Sequence, residues 1–184
     1  MSFQDDYLIV LFLFALWFGF RPFQNENAGS KRQIDSALYY KTLAEQAPPG
    51  LVFGIVWPIL YGLIVAAHFL YWTNGSDDTV IYGIVLILYM VNLLLNKLWS
   101  PMFFAEKNPQ AALVIIILTE LTAIVIAILM AVDHVWSSFW LLVPYILWLA
   151  YATYLNVTFI GALERAGSTP VKVIRQQNRV DFLY

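Results

Sequence analysis

Polar and charged residues are sparse along most of the chain, and they fall in short clusters that cut it into apolar runs. Windows of about 20 residues nearly free of charge, the length an α-helix needs to cross a bilayer, fall at 51–72, 80–104, 111–132 and 135–163, with a shorter run at 7–20. Only helices or closed barrels satisfy their backbone groups in lipid. Runs of this length therefore predict an all-α integral membrane protein, a bundle of five transmembrane helices. The run at 7–20 is headed by Asp5 and Asp6 instead of Lys or Arg, and no small-residue cleavage site follows before Arg21 and Pro22. It is read as a retained first helix, not a secretory signal. Residues 1–163 thus form one transmembrane domain and residues 164–184 a polar C-terminal tail.

The one long loop, 23–48, separates the first two spans. Its second half, IDSALYYKTLAEQ, places Ile34, Leu38, Tyr39 and Leu43 near an i, i+4 stripe behind a cap at Asp35 or Ser36. That pattern predicts a short amphipathic helix over the mouth of the bundle. A disordered linker is the competing reading, because the first half of the loop is polar.

Composition agrees with the pattern: 61% of the residues are hydrophobic and 12% charged, against roughly 25% charged in an average soluble domain. The charges also sort by side. Asp5, Asp6, Asp77, Asp78 and Asp133 fall on the side of the N-terminus with no Lys or Arg among them. Arg21, Lys31, Arg32, Lys41, Lys107, Arg165, Lys172, Arg175 and Arg179 fall on the other side. The positive-inside rule then puts the N-terminus outside and the C-terminus in the cytoplasm. There is no cysteine, which excludes disulfides and thiolate metal sites. No metal-binding HExxH, phosphate loop or Ser/His/Asp set is present, so neither a metal nor a familiar catalytic residue is expected. The lipid bilayer is the expected partner, and nucleic acid is not.

Polar groups inside a bilayer are costly and usually face the bundle interior. On the second span Phe53, Trp57, Tyr61, Ile64 and His68 form one stripe. On the third, Tyr89, Asn92, Asn96, Trp99 or Ser100, and Phe103 do so, and on the fifth Tyr145, Trp148, Ala152, Asn156 and Phe159. Two readings stand side by side. The faces pack on one another with Asn-to-Asn hydrogen bonds as glue, or the rings and small neighbours such as Ala152 enclose a cleft for a flat apolar ligand. Glu120, mid-span, is either protonated or paired with Lys97, and a proton relay is the sharper alternative. Lys97 can equally snorkel to the headgroups. His68 reads as a satisfied interface residue.

Three motifs occur in order: PPGLVFGIVWPILYGL (48–63), LNKLWSPMFF (95–104) and PYILWLAYATYLN (144–156). Together they resemble the translocator protein family, also called tryptophan-rich sensory proteins or the peripheral benzodiazepine receptor family. The resemblance covers roughly Tyr39 to Asn156. It implies a five-helix membrane fold, often a homodimer, with a cavity covered by the first loop. It also implies porphyrin ligands such as protoporphyrin IX or heme, sterol-like ligands, and no required cofactor. Carried over by motif, the ligand-contacting residues are Trp57, Trp148 and Asn96, with Trp99, Phe103, Ala152 and Asn156. All of these but Asn156, together with Asn92, Tyr61, Tyr145 and Phe53, make the candidate binding set, and Tyr39, Tyr40 and Leu43 the lid.

The first loop departs from the family pattern WYxxLxKPxWxPP. Here it reads YYKTLAEQAPP, without the loop Trp or the Lys-Pro pair. A cholesterol-recognition pattern near Tyr154 lacks its basic residue, the first being Arg165. The resemblance implies a membrane receptor or carrier, in a bacterial inner or mitochondrial outer membrane. Two alternatives stand beside it: light-dependent oxidative degradation of porphyrin, and a structural or regulatory subunit without free-ligand activity.

Overall fold

The structure, a computed structural model, describes residues 35–75 and 79–168. The predicted first span at 7–20, the first half of the long loop and most of the tail lie outside the described residues. Within them the chain is helical. A short helix, α1 (Ser36–Gln46), precedes four long ones: α2 (Gly50–Asn74), α3 (Thr79–Ser100), α4 (Pro109–Val132) and α5 (Trp136–Ser168). Helices α2 to α5 are the predicted second to fifth spans, and all four are long and apolar enough to cross a membrane.

Local chemistry sets the boundaries. Asp35 caps α1, its Oδ1 accepting from the Ala37 N–H at 2.9 Å, as the cap position requires. The pair Pro48-Pro49 keeps the chain extended and then opens α2. Asn108 caps α4, with Pro109 in its first turn. The third span was expected as one helix over 80–104, but the α-helix ends at Ser100 and continues as a π-helical turn, Pro101–Ala105. Pro101 has no N–H to give to the preceding turn, and the ladder widens so that Glu106 N–H reaches Pro101 O at 2.9 Å. The fifth span was expected to end at 163. Instead α5 runs on through Ser168, because the apolar stretch stops there while good helix formers such as Ala162, Leu163, Glu164 and Ala166 do not.

Helix α4 packs between α3 and α5, α2 packs on α5, and α1 lies across α5. The core is aromatic and small-residue rich: Tyr71, Tyr89, Tyr145, Ala67, Ala123 and Ala127 are buried. Leu51, Val80, Ile87, Trp140 and Leu147 point outward, as residues facing lipid do. Helices α2 and α3 meet through long side chains. The His68 ring lies 3.7 Å from that of Tyr89, and Nδ1 bonds Ile64 O of its own helix at 2.9 Å, but Nε2 is buried with no partner among the described residues, so the satisfied residue expected there is satisfied at one nitrogen only.

Candidate functional site

Tyr39 and Tyr40 fasten α1 to the bundle. The Tyr39 hydroxyl donates to Phe103 O at 2.6 Å, and that of Tyr40 donates to Phe104 O at 3.2 Å. Both acceptors belong to the π turn, near a helix end where carbonyls lack intrahelical donors. The Tyr39 ring is fully buried, set edge-on against Phe159 at 4.9 Å and Phe103 at 6.0 Å. Burial pushes its phenol above the ordinary range, and the neighbouring Tyr40 adds to this. The raised value means docking is intact below the ordinary phenol pKa of about 10 and weakens only above it.

Beneath α1 lies a cavity of about 420 Å³. Tyr40, Leu43 and Ala47 form its roof, Pro49, Gly50 and Phe53 its side on α2, and Trp99, Phe103 and Phe104 its side on α3 and the π turn. Helix α5 completes it with Ala152, Leu155, Asn156 and Phe159. Trp99 stacks on Phe103 at 5.0 Å and 19°, and its buried indole N–H has no acceptor among the described residues. Asn156 is fixed against α4: with its amide turned to suit its neighbours, it donates to Pro109 O at 3.3 Å and accepts from Leu113 N–H at 2.9 Å.

Trp57 and Trp148 stand beside this cavity instead of lining it. Phe53 contacts Trp148 at 5.7 Å, and Trp148 meets Trp57 edge-on at 6.4 Å. Trp57 in turn stacks on Tyr61 at 5.5 Å. The Trp148 indole N–H is also buried without an acceptor among the described residues.

From Tyr61 a chain of hydrogen bonds runs across the bundle. Tyr61 OH donates to Asn96 Oδ1 at 2.8 Å, and Asn96 Nδ2 donates to Tyr145 OH at 3.1 Å. Tyr145 OH donates to Asn92 Oδ1 at 2.9 Å. Asn92 Nδ2 then donates to Thr119 O at 2.7 Å and to Thr122 Oγ1 at 2.8 Å. All four long helices are joined by it. The expected Asn-to-Asn bond is replaced by a tyrosine hydroxyl lying between the two amides. Ser100, expected on the same face, is not part of this chain, because eight residues at 3.6 per turn carry it about 80° round the helix. Glu120 turns to α5, where Thr153 Oγ1 donates to its Oε2 at 3.2 Å, and does not pair with Lys97.

The TspO/MBR family model matches residues 8–161, beginning inside the predicted first span and taking in all three sequence motifs. The chain belongs to the TspO/MBR family. It is 33% identical to the tryptophan-rich protein TspO of Bacillus cereus, over 60% of this chain and 70% of that protein. To TspO of Chlorobaculum tepidum it is 35% identical, over 66% and 77%. To the human translocator protein it is 33% identical, over 59% and 64%. This TspO/MBR member is therefore an integral membrane protein.

Of the residues expected to bind a ligand in this TspO/MBR chain, Phe53, Trp99, Phe103 and Ala152 line the cavity, with Tyr40 and Leu43 from the expected lid. Tyr39 serves as the lid's anchor. Tyr61, Asn92, Asn96 and Tyr145 are bonded to one another in the core. Thr119 and Thr122, which complete that chain, escaped the sequence reading although two hydroxyls three residues apart in an apolar helix were a usable signal.

Proposed function

We propose that this protein binds a flat, apolar, ring-shaped ligand of the porphyrin class, protoporphyrin IX or heme, in the cavity under α1. The observation that carries the reading is a cavity in the volume range of small-molecule sites whose walls include six aromatic rings. Stacked or edge-on contact between such rings and a planar ligand adds to simple burial. A sterol is the other flat apolar candidate. Lys41, Lys107 and Arg165 lie at the end of the bundle that carries α1 and the C-terminus of α5, so the proposal places this mouth on the cytoplasmic side.

The Trp57–Trp148 pair favours a second reading. Two indoles reaching the cavity through Phe53 are suited to electron transfer with an excited ring, and the bound ring would then be oxidised in light with dioxygen as oxidant. Titrating the purified protein with protoporphyrin IX in the dark is expected to quench tryptophan emission saturably, with one site per chain. Quenching that grows linearly without saturation would mean partition into detergent and would end the proposal. Illuminating the same complex separates the two readings: a new absorbing product marks degradation, and an unchanged spectrum marks binding alone.

A further inference from the structure

The turn that follows the π segment places Lys107 at φ 47, a left-handed conformation in which helices usually end on glycine or asparagine. A lysine there carries a conformational cost that glycine would not, so its side chain is the thing to explain. That side chain is folded back toward α1. Its Nζ donates to Ser36 Oγ at 2.8 Å and stands 6.0 Å from the centre of the Tyr40 ring. Tyr40 and Phe104 both line the cavity, and the Tyr40 hydroxyl is bonded to Phe104 O. The ammonium therefore sits against the outer rim of the cavity wall. Among the described residues no carboxylate lies within ion-pair distance of it, although the chain as a whole is acidic, with net charge −2. Ser36 offers it only a neutral hydroxyl, at the amino end of α1, where the helix dipole is itself positive.

We propose that Lys107 is the anion-recognising residue of the cavity: it pairs with a carboxylate carried by a planar ring-shaped ligand. The ring lies among Trp99, Phe103 and Phe53, and the acid projects past Tyr40 to the rim. The inference rests on the proposed use of the cavity for a porphyrin-class ligand and adds which residue receives that ligand's carboxylate. It explains why a cation with no carboxylate beside it among the described residues occupies a glycine-type position behind Tyr40 and Phe104 of the cavity wall. A purely structural alternative exists, in which Lys107 complements the carboxyl end of the helix before it. That role needs no ligand.

The experiment is a cycle of two ligands and three proteins. The ligands are protoporphyrin IX, which carries two carboxylates, and its dimethyl ester. The proteins are the full-length chain, Lys107→Gly, which suits the backbone, and Lys107→Arg, which keeps the charge. Comparing the ratio of acid to ester affinity between the proteins cancels the different partition of the two ligands into detergent. For the unmodified chain the acid is expected to bind about tenfold more tightly than the ester, the scale of one charge-assisted hydrogen bond. In Lys107→Gly the ratio is expected to fall to about twofold or less, while Lys107→Arg keeps it. An equal ratio in the unmodified chain and in Lys107→Gly assigns Lys107 the structural role and overturns the proposal. Acid and ester binding the unmodified chain equally well also overturns it, leaving the cavity reading in place. Failure of both to bind removes the cavity reading and this inference with it.

Discussion

Replacing Asn92 with leucine is expected to lower the thermal unfolding midpoint of the detergent-solubilised protein by about 4 to 8 °C. Asn92 is buried and makes three hydrogen bonds, giving two from its amide to Thr119 O and Thr122 Oγ1 and receiving one from Tyr145 OH. Interhelical hydrogen bonds in membranes average about 0.6 kcal/mol with a maximum near 1.7, so three of them come to about 2 kcal/mol. For a chain of this size that corresponds to the quoted shift. Leucine keeps the number and branching of the side-chain heavy atoms, which leaves the polar loss as the main effect. Ser100→Ala, on the face once expected to continue this chain, should move the midpoint by less than 1 °C by the same scale. Equal shifts for the two substitutions would mean that the network does not hold the helices together.

The second large effect is expected at Tyr39. Tyr39→Ala removes a fully buried ring from contact with Phe103 and Phe159 and leaves the Phe103 carbonyl without its donor. Truncating a buried aromatic costs about 3 to 5 kcal/mol, and the other attachments of α1 are smaller: Thr42 is buried and Leu43 packs on the same cluster, Tyr40 is 48% exposed, and the Lys107–Ser36 bond is at the surface. Undocking of α1 is therefore expected before the bundle unfolds. Limited proteolysis within residues 36–46 should accelerate at least tenfold while the four long helices stay protected, and porphyrin affinity should fall as the roof is lost. Tyr39→Phe, which keeps the ring and loses about 1 kcal/mol of hydrogen bond, should sit between. If the alanine variant is cut no faster than the parent, α1 is held by something other than Tyr39.

Much of this architecture could be read from the chain, for a simple physical reason. A bilayer demands long uncharged helices, and that demand is written in the run from Leu51 to Trp72 and, Glu120 apart, in the run from Ala111 to Val132. The same holds for α1, whose apolar side was visible in Tyr39 and Leu43. What the sequence did not disclose were partners supplied by backbone. Nothing in the side-chain pattern says that the hydroxyls of Tyr39 and Tyr40 end on two successive carbonyls. Those carbonyls are presented by a π turn, whose only trace is Pro101. The polar face of α3 was evident from Asn92 and Asn96, but a face does not name what it meets. Its partners, Tyr145 and Thr122, lie 53 and 30 residues away along the chain. The relation of the tryptophans to the cavity was hidden for a similar reason. Helical spacing put Trp57, Trp99 and Trp148 on inward faces, and only the packing of Phe53 between the cavity and Trp148 distinguishes a wall from the layer behind it.

The central claim is that the chamber under α1 is where the ligand binds, and Ala152 gives the most direct access to it. This residue of α5 is 6% exposed and lines the cavity, so a phenyl group added there occupies the space a planar ring would take. The deciding measurement is the dark protoporphyrin IX titration of Ala152→Phe beside the unmodified protein, with circular dichroism and the unfolding midpoint checked to be the same. The account predicts saturable quenching for the parent and at least a thirtyfold weaker site in the variant, about 2 kcal/mol of lost binding. Equal affinity in two equally folded proteins would contradict it, and would place the ligand somewhere other than the chamber walled by Trp99, Phe103 and Ala152.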